Sequence, residues 1–363
     1  MAATRREWVG LAVIALPCLL YSMDLTVLNL AVPHLSADLR PTGAQLLWIV
    51  DIYGFLVAGS LITMGTLGDR IGRRRLLLIG AAAFGAASVL AAFSHTAEML
   101  IASRALLGVA GATLAPSTLS LIRNMFLDPE ERTVAIGVWV TSFSVGGAIG
   151  PLVGGVLLEY FWWGSVFLLA VPVMVLLLLA GPRLLPEFRD PGAGRLDPVS
   201  AGQSLAAVLL VIYGLKRVAE HGPAWGPALV VAAGLLVGAA FVRRQRRLAH
   251  PLIDLTLFGS PAFTIALLTY TLGTFVAFGV YIFIAQHLQL VLGLSPLAAG
   301  LATVPGMLAF VAGSLVVPAL TRRHRPGALM AAGLVVAAVG FALLAAAGQT
   351  GVTGIVAGSV IYS

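Results

Sequence analysis

The chain has almost no cysteine. Cys18 is its single thiol, so no internal disulfide can form, and its place in an apolar run suggests a packed thiol. The six histidines (His34, His95, His221, His250, His287 and His324) are scattered without metal-ligand spacing, so no metal site is expected. Charge is scarce too. Asp, Glu, Lys and Arg make up 10% of the 363 residues, against roughly 25% in a soluble domain. That shortage excludes a single water-soluble core. Acids are fewer than bases, which leaves a net charge of +7. A basic balance raises nucleic acid as a partner. The arginines, however, sit in short clusters between apolar runs and not on an amphipathic or extended basic stretch, so no nucleic-acid partner is expected. No nucleophile–base pair and no phosphate loop is present in the pattern, and an enzyme is not expected. No alternating strand pattern is seen.

What the chain does have is apolar length. Hydrophobic residues are 59% of it and the mean hydropathy is +1.00. A membrane span needs about 20 apolar residues. On that measure spans are expected at 9–33, 45–66, 76–94, 98–122, 133–158, 164–181, 199–216, 225–242, 262–288, 296–318 and 327–346. A twelfth begins near Val352, and the chain as given is expected to stop inside it and, for want of the remaining helices, not to transport. Arg5 and Arg6 precede the first run as they would in a signal peptide. That run continues through Asp24 to Pro33 without a small-residue cleavage site, and reads as a retained first span. Arg70, Arg73, Arg74 and Arg75, then Arg243, Arg244, Arg246 and Arg247, then Arg322, Arg323 and Arg325 fall in loops on one side. The other side holds Arg40, Lys216 and Arg217. The bias sets the N-terminus in the cytoplasm. The Pro- and Gly-rich stretch from Gly181 to Pro198 marks a boundary. The expected division is 1–182, a six-helix bundle; 183–255, a linker with two extra helices; and 256–363, an incomplete second bundle.

Several short patterns carry chemistry. Between the second and third runs lies Gly65-Thr-Leu-Gly-Asp-Arg-Ile-Gly-Arg-Arg-Arg75. Gly65, Gly68 and Gly72 permit a tight reversal, Asp69 is expected to cap the next helix, and Arg70 and Arg73 hold the loop outside hydrocarbon. In the first run, Met23-Asp24-Leu25-Thr26 buries a carboxylate at a cost of roughly 2.5–3.5 kcal/mol, which points to function or else to a hydrogen-bonded packing role. The second run opens Leu47-Trp-Ile-Val-Asp-Ile-Tyr53. Trp48, Asp51 and Tyr53 there suit a lipophilic cation through charge and ring faces, or else form an interfacial aromatic belt. In the fourth run Arg104 precedes Gly108 and Gly111 and needs a counter-ion unless it snorkels outward. The fifth run holds Gly146, Gly150, Pro151, Gly154 and Gly155. This smooth face admits a neighbouring helix, with Gly300, Gly306 and Gly313 of the tenth run as the expected counterpart. Helix rise places Asp24 about 13 Å, and Asp51 and Arg104 each about 9 Å, inside the outer ends of their spans.

Together these motifs resemble the major facilitator superfamily of secondary transporters, and within it the fourteen-span drug:proton antiporters that export quaternary ammonium compounds and methyl viologen. The loop from Gly65 to Arg75 resembles the family's loop between helices 2 and 3, and the Gly150–Pro151 pair resembles the helix-5 motif of its antiporters. Two departures are visible. Leu107 stands where the family often has glutamine. No acid lies between Pro296 and Pro318, so divalent substrates are not expected.

The resemblance implies an all-α integral membrane protein with two six-helix bundles and two additional central helices. It gives Asp24, with Arg104, the proton coupling. Asp51, Trp48 and Tyr53 are expected to meet the substrate, and the loop from Gly65 to Arg73 to gate. The implied activity is proton-coupled efflux of lipophilic, cationic compounds by alternating access. Two alternatives stay open: a dedicated exporter of one endogenous metabolite or antibiotic, and a non-transporting sensor or scaffold. No cofactor beyond the proton gradient is expected. Partners are small lipophilic substrates, protons and the bilayer of the plasma (inner) membrane, with the protein working as a monomer.

Overall fold

The computed structural model describes residues 3–190, 197–222, 224–249, 251–294, 296–320, 325–346 and 351–363. Among the described residues eleven helices are long and apolar enough to cross a membrane, and a shorter apolar helix follows. They are α1 (Arg5–Leu39), α2 (Gly43–Ile71), α3 (Arg73–Ala92), α4 (Ala97–Met125), α5 (Pro129–Tyr160), α6 (Ser165–Leu184), α7 (Pro198–His221), α8 (Trp225–Gln245), α9 (Pro261–Gln286), α10 (Pro296–Leu320), α11 (Pro326–Ala346) and α12 (Gly351–Tyr362). Number and order follow the apolar runs. Spanning helices are the natural answer, because a backbone in hydrocarbon must satisfy its own polar groups.

Local sequence sets the starts. Thr4 with Glu7, and Thr42 with Gln45, form reciprocal capping boxes at α1 and α2. Asp197 caps α7, with Pro198 in the first turn where its missing N–H costs nothing. Three ends run well past expectation, among them that of α2, at Ile71 where 66 was expected. Helix α1 continues through Pro33 to Leu39, which puts Asp24 about 22 Å from that end by helix rise, not 13 Å. Helix α7 continues past Lys216 and Arg217, which were expected in a loop, as far as His221.

The chain divides by contact into two compact units. One comprises Met1–Pro17, Pro33–Asp128 and Trp163–Ser260; the other comprises Cys18–Val32, Pro129–Trp162 and Pro261–Ser363. Both cut across chain order. In the first unit α2, α3 and α4 pack together with α6, and α7 packs on α2 and on α8. Gly59 of α2 lets Leu205 of α7 come so close that a Cβ there would overlap the leucine side chain. Trp163 clips the first unit elsewhere, its indole N–H donating to Asp38 at 2.7 Å. In the second unit α10 packs on α5 and α12, and α12 on α11.

Candidate functional site

In the first unit the charges of α2 and α4 are built together. Gly108 lets α4 approach α2, since a Cβ at that position would lie 2.6 Å from the Tyr53 carbonyl oxygen. One turn earlier, Arg104 is buried, only 1% exposed. Its Nε donates to the Ile49 carbonyl at 3.1 Å and its Nη2 to the Val50 carbonyl at 3.4 Å. Its guanidinium lies 4.8 Å from the Tyr53 ring centre and 5.9 Å from that of Phe167. Carbonyl dipoles and ring faces are thus among the groups that make this burial tolerable, and Arg104 does not snorkel. Tyr53 is itself fully buried, so it props Arg104 and presents no open face to a ligand.

Asp51 and Trp48 lie on another face of α2, towards α7. The Lys216 ammonium forms an ion pair with the Asp51 carboxylate. The Trp48 ring stacks on Tyr213 with centres 5.9 Å apart and planes 22° apart. Lys216 also lies 5.4 Å from the Phe55 ring centre. Positions 48, 51 and 55 share one helical face, as do 213, 216 and 217, so the spacing alone permits this match.

The loop motif is rearranged relative to expectation. Gly65, Gly68, Asp69 and Arg70 lie inside the last turns of α2, and the reversal is made at Gly72 alone, with φ 109°. Asp69 does not cap α3. It pairs with Arg73 at 2.5 Å, one turn on, because at the end of α2 its side chain faces that guanidinium. The N-terminus of α3 is served from elsewhere: Glu187 accepts from the Arg74 N–H at 3.1 Å, and the Phe188 carbonyl accepts from the Arg73 N–H at 2.9 Å. Arg74 reaches back to the Leu185 carbonyl at 3.0 Å, and the Asp190 N–H donates to the Asp69 carbonyl at 3.0 Å.

In the second unit Asp24 is half-buried on α1. The glycine face of α5 packs against the same stretch of α1. A Cβ at Gly146 would strike the Leu19 backbone, at Gly150 the Thr26 hydroxyl, and at Gly154 Val27, 2.9 Å from its Cγ1. Gly155 meets nothing within 4 Å, and the side chain of Pro151 lies outside the described residues. The ladder therefore grips α1 and not the expected glycines of α10, of which Gly300 and Gly313 have open space where a Cβ would be. Around Asp24 the α1–α5 seam is aromatic. Tyr21 meets Phe143 edge-on at 5.8 Å, and Phe143 meets Trp139 at 4.8 Å. Lower on α5, an open cavity of about 500 Å³ lies against α10, lined by Thr133, Gly137, Phe310, Gly313 and Ser314 among others.

Sequence reasoning missed Lys216, Tyr213, Glu187, Tyr21 and Phe143. Only the first two carried a signal, a lysine and a tyrosine on one helical face beside a span end. Arg322 and Arg323 of the predicted positive side lie outside the described residues.

Comparison with known proteins gives the family of the chain. Residues 14–363 match the Major Facilitator Superfamily. The multidrug efflux pump LfrA of Mycolicibacterium smegmatis is 51% identical over 339 residues, which is 93% of this chain and 67% of the pump. The methyl viologen resistance protein SmvA of Salmonella typhimurium is 40% identical over 309 residues, covering 84% of this chain and 62% of that protein. The chain thus spans about two thirds of the length of the curated relatives it matches. Among solved structures, a peptide transporter POT in complex with sulfate shares the fold, with TM-score 0.63 at 19% identity over 97% of this chain and 78% of the other.

Proposed function

This chain belongs to the Major Facilitator Superfamily, a family of multi-pass membrane transporters, and from that premise we propose that it is a proton-coupled antiporter of the fourteen-span drug-efflux group. It exports lipophilic, cationic compounds by alternating access. The reading is carried by one observation: a chain 51% identical to a multidrug efflux pump carries Asp24, Asp51 and Arg104 within helices long and apolar enough to cross a membrane, Arg104 fully buried and the two acids half-buried. Charges at such positions are costly and mark ion or substrate pathways. Asp24, in the second unit, carries the proton; Arg104, in the first, is the buried fixed cation also assigned to proton coupling. Asp51 and Trp48 meet the substrate cation. The cluster Asp69–Arg73 with Arg74–Glu187 governs the gate.

The proposed functional division is the sequential one, 1–182, 183–255 and 256–363. The protein is placed in the plasma membrane with its N-terminus in the cytoplasm, acts as a monomer, performs no catalysis, and uses no cofactor but the proton gradient. Its partners are lipophilic small molecules, protons and lipid; nucleic acid is not among them.

The test is ethidium efflux from cells expressing the full-length protein, with and without a protonophore, alongside proton release from the purified full-length protein on adding tetraphenylphosphonium. Uncoupler-sensitive efflux and release of protons are the expected results. Efflux that continues at full rate in the presence of the protonophore refutes proton coupling.

A further inference from the structure

The Asp51 cluster is a cation site that already holds a cation. Its parts are those a lipophilic cation needs: one carboxylate, the Phe55 ring on the same helix, and the stacked pair Trp48–Tyr213 beside them. Yet the ammonium lying on the carboxylate belongs to the protein's own chain, on the inserted helix α7. Two cations stand side by side there and are sorted by chemistry. Lys216, a point charge on a flexible stem, goes to the acid. Arg217 goes to Tyr213, donating to its hydroxyl at 3.0 Å with the guanidinium 5.5 Å from the ring centre. Arg217 thereby steadies the ring that stacks on Trp48. Helical side chains lean towards the N-terminus, which carries Lys216 along α7 in the direction of Asp51 and Phe55. The site is not sealed: the side chains of Lys216 and Asp51 remain 31% and 28% exposed.

We propose that Lys216 is a specificity-determining residue, a tethered cation that occupies Asp51 and must be displaced by a cationic substrate. This rests on the reading that Asp51 meets the substrate. An ammonium fixed to a neighbouring helix competes as an intramolecular ligand at high effective concentration. A single soft monocation gains Asp51 only in the fraction of molecules from which Lys216 has left. A substrate with two cationic groups, or one that reaches the rings as well as the acid, displaces it more readily. Neutral compounds are indifferent to it. The inserted hairpin would then set which cations the transporter accepts.

If Lys216 holds Asp51 in about nine of ten molecules, its removal tightens monocation binding about tenfold. The experiment measures binding of tetraphenylphosphonium, with Nile red as a neutral control, to the purified protein in lipid nanodiscs. Lys216→Gln is expected to bind tetraphenylphosphonium about tenfold more tightly, Lys216→Arg to resemble the parent, and Nile red to bind all three alike. Asp51→Asn is expected to lose the phosphonium. Unchanged or weaker phosphonium binding by Lys216→Gln, with Asp51→Asn still losing it, overturns the tethered-cation proposal and leaves the substrate role of Asp51 standing. Unchanged phosphonium binding in Asp51→Asn overturns that substrate role and this proposal with it. Should Lys216→Gln fail to fold while Asp51→Asn/Lys216→Gln folds, the pair is a helix clamp and the proposal is wrong.

Discussion

The contact between α1 and α5 can be weighed by adding one methyl group. At Gly146 a Cβ would lie 2.8 Å from the Leu19 carbonyl carbon and 3.0 Å from its Cα, and nearer still to its oxygen. All three are backbone atoms, so no rotamer can yield. The helices must part locally by roughly 0.5–1 Å, an overpacking that costs about 1–3 kcal/mol. Alanine also improves helix propensity by about 1 kcal/mol over glycine, which partly hides that cost. Gly155 supplies the control. It lies in the same helix and a Cβ there meets nothing within 4 Å, so Gly155→Ala gains propensity without the clash. The difference between the two variants cancels propensity and isolates the contact. Gly146→Ala is expected to be less stable than Gly155→Ala by about 1–3 kcal/mol, a factor of about 5–150 in the folding equilibrium. Unfolding of each purified variant by titration with dodecyl sulfate in mixed micelles measures this. Equal stability of the two would mean that the glycine face does not set the approach of α1.

On the proposed mechanism, Asp24→Asn inserts normally yet loses uncoupler-sensitive uphill export; proton release on adding tetraphenylphosphonium should vanish, and parent-like release would move the coupling elsewhere. Asp69→Asn removes the 2.5 Å partner of Arg73, and Glu187→Gln weakens the group that serves the start of α3, so both should slow turnover with little change in dye affinity. A large affinity loss at normal turnover in either variant contradicts a gating role. Outside the spans, hydrogen bonds from Arg244 and then Ser200 hold the Asp197 carboxyl at about 2, below its ordinary 3.8. The stabilisation this gives is complete above that ordinary value and is lost as pH falls through about 2. Asp197→Ala should cost about 1 kcal/mol as a lost helix cap and flatten that acid limb, which urea melts between pH 5 and pH 2 would register.

The spans were legible because hydrocarbon imposes one rule on every helix, some 20 apolar residues with the backbone satisfied internally. Motif positions were legible where a residue type is forced, as with the buried Arg104 and the reversal at Gly72. Boundaries failed for an identifiable reason. Glycines at 65 and 68 were read as loop residues, yet a helical glycine costs only about 1 kcal/mol and α2 absorbs both. Partners from distant sequence were not legible at all. Glu187 serves Arg74 across 113 residues, and nothing in the spacing of either segment encodes the other.

Lys216 shows why such errors cluster at functional positions. A lysine ends a predicted span because its insertion is costly when it stands alone. On α7 it does not stand alone: Asp51 takes its charge, Phe55 faces its ammonium, and the helix runs on to His221. The same reasoning applies in reverse to Asp51, which reads from sequence as an isolated acid awaiting a ligand. Each residue misleads because the other is out of view. An intramembrane charge is therefore informative about substrate only after its partners inside the protein are known. Here that partner lies on one of the two additional helices, where a packing element and a selectivity element coincide. On the tethered-cation proposal that ion pair makes α7 part of the working transporter; as a helix clamp it would only pack α7 on α2.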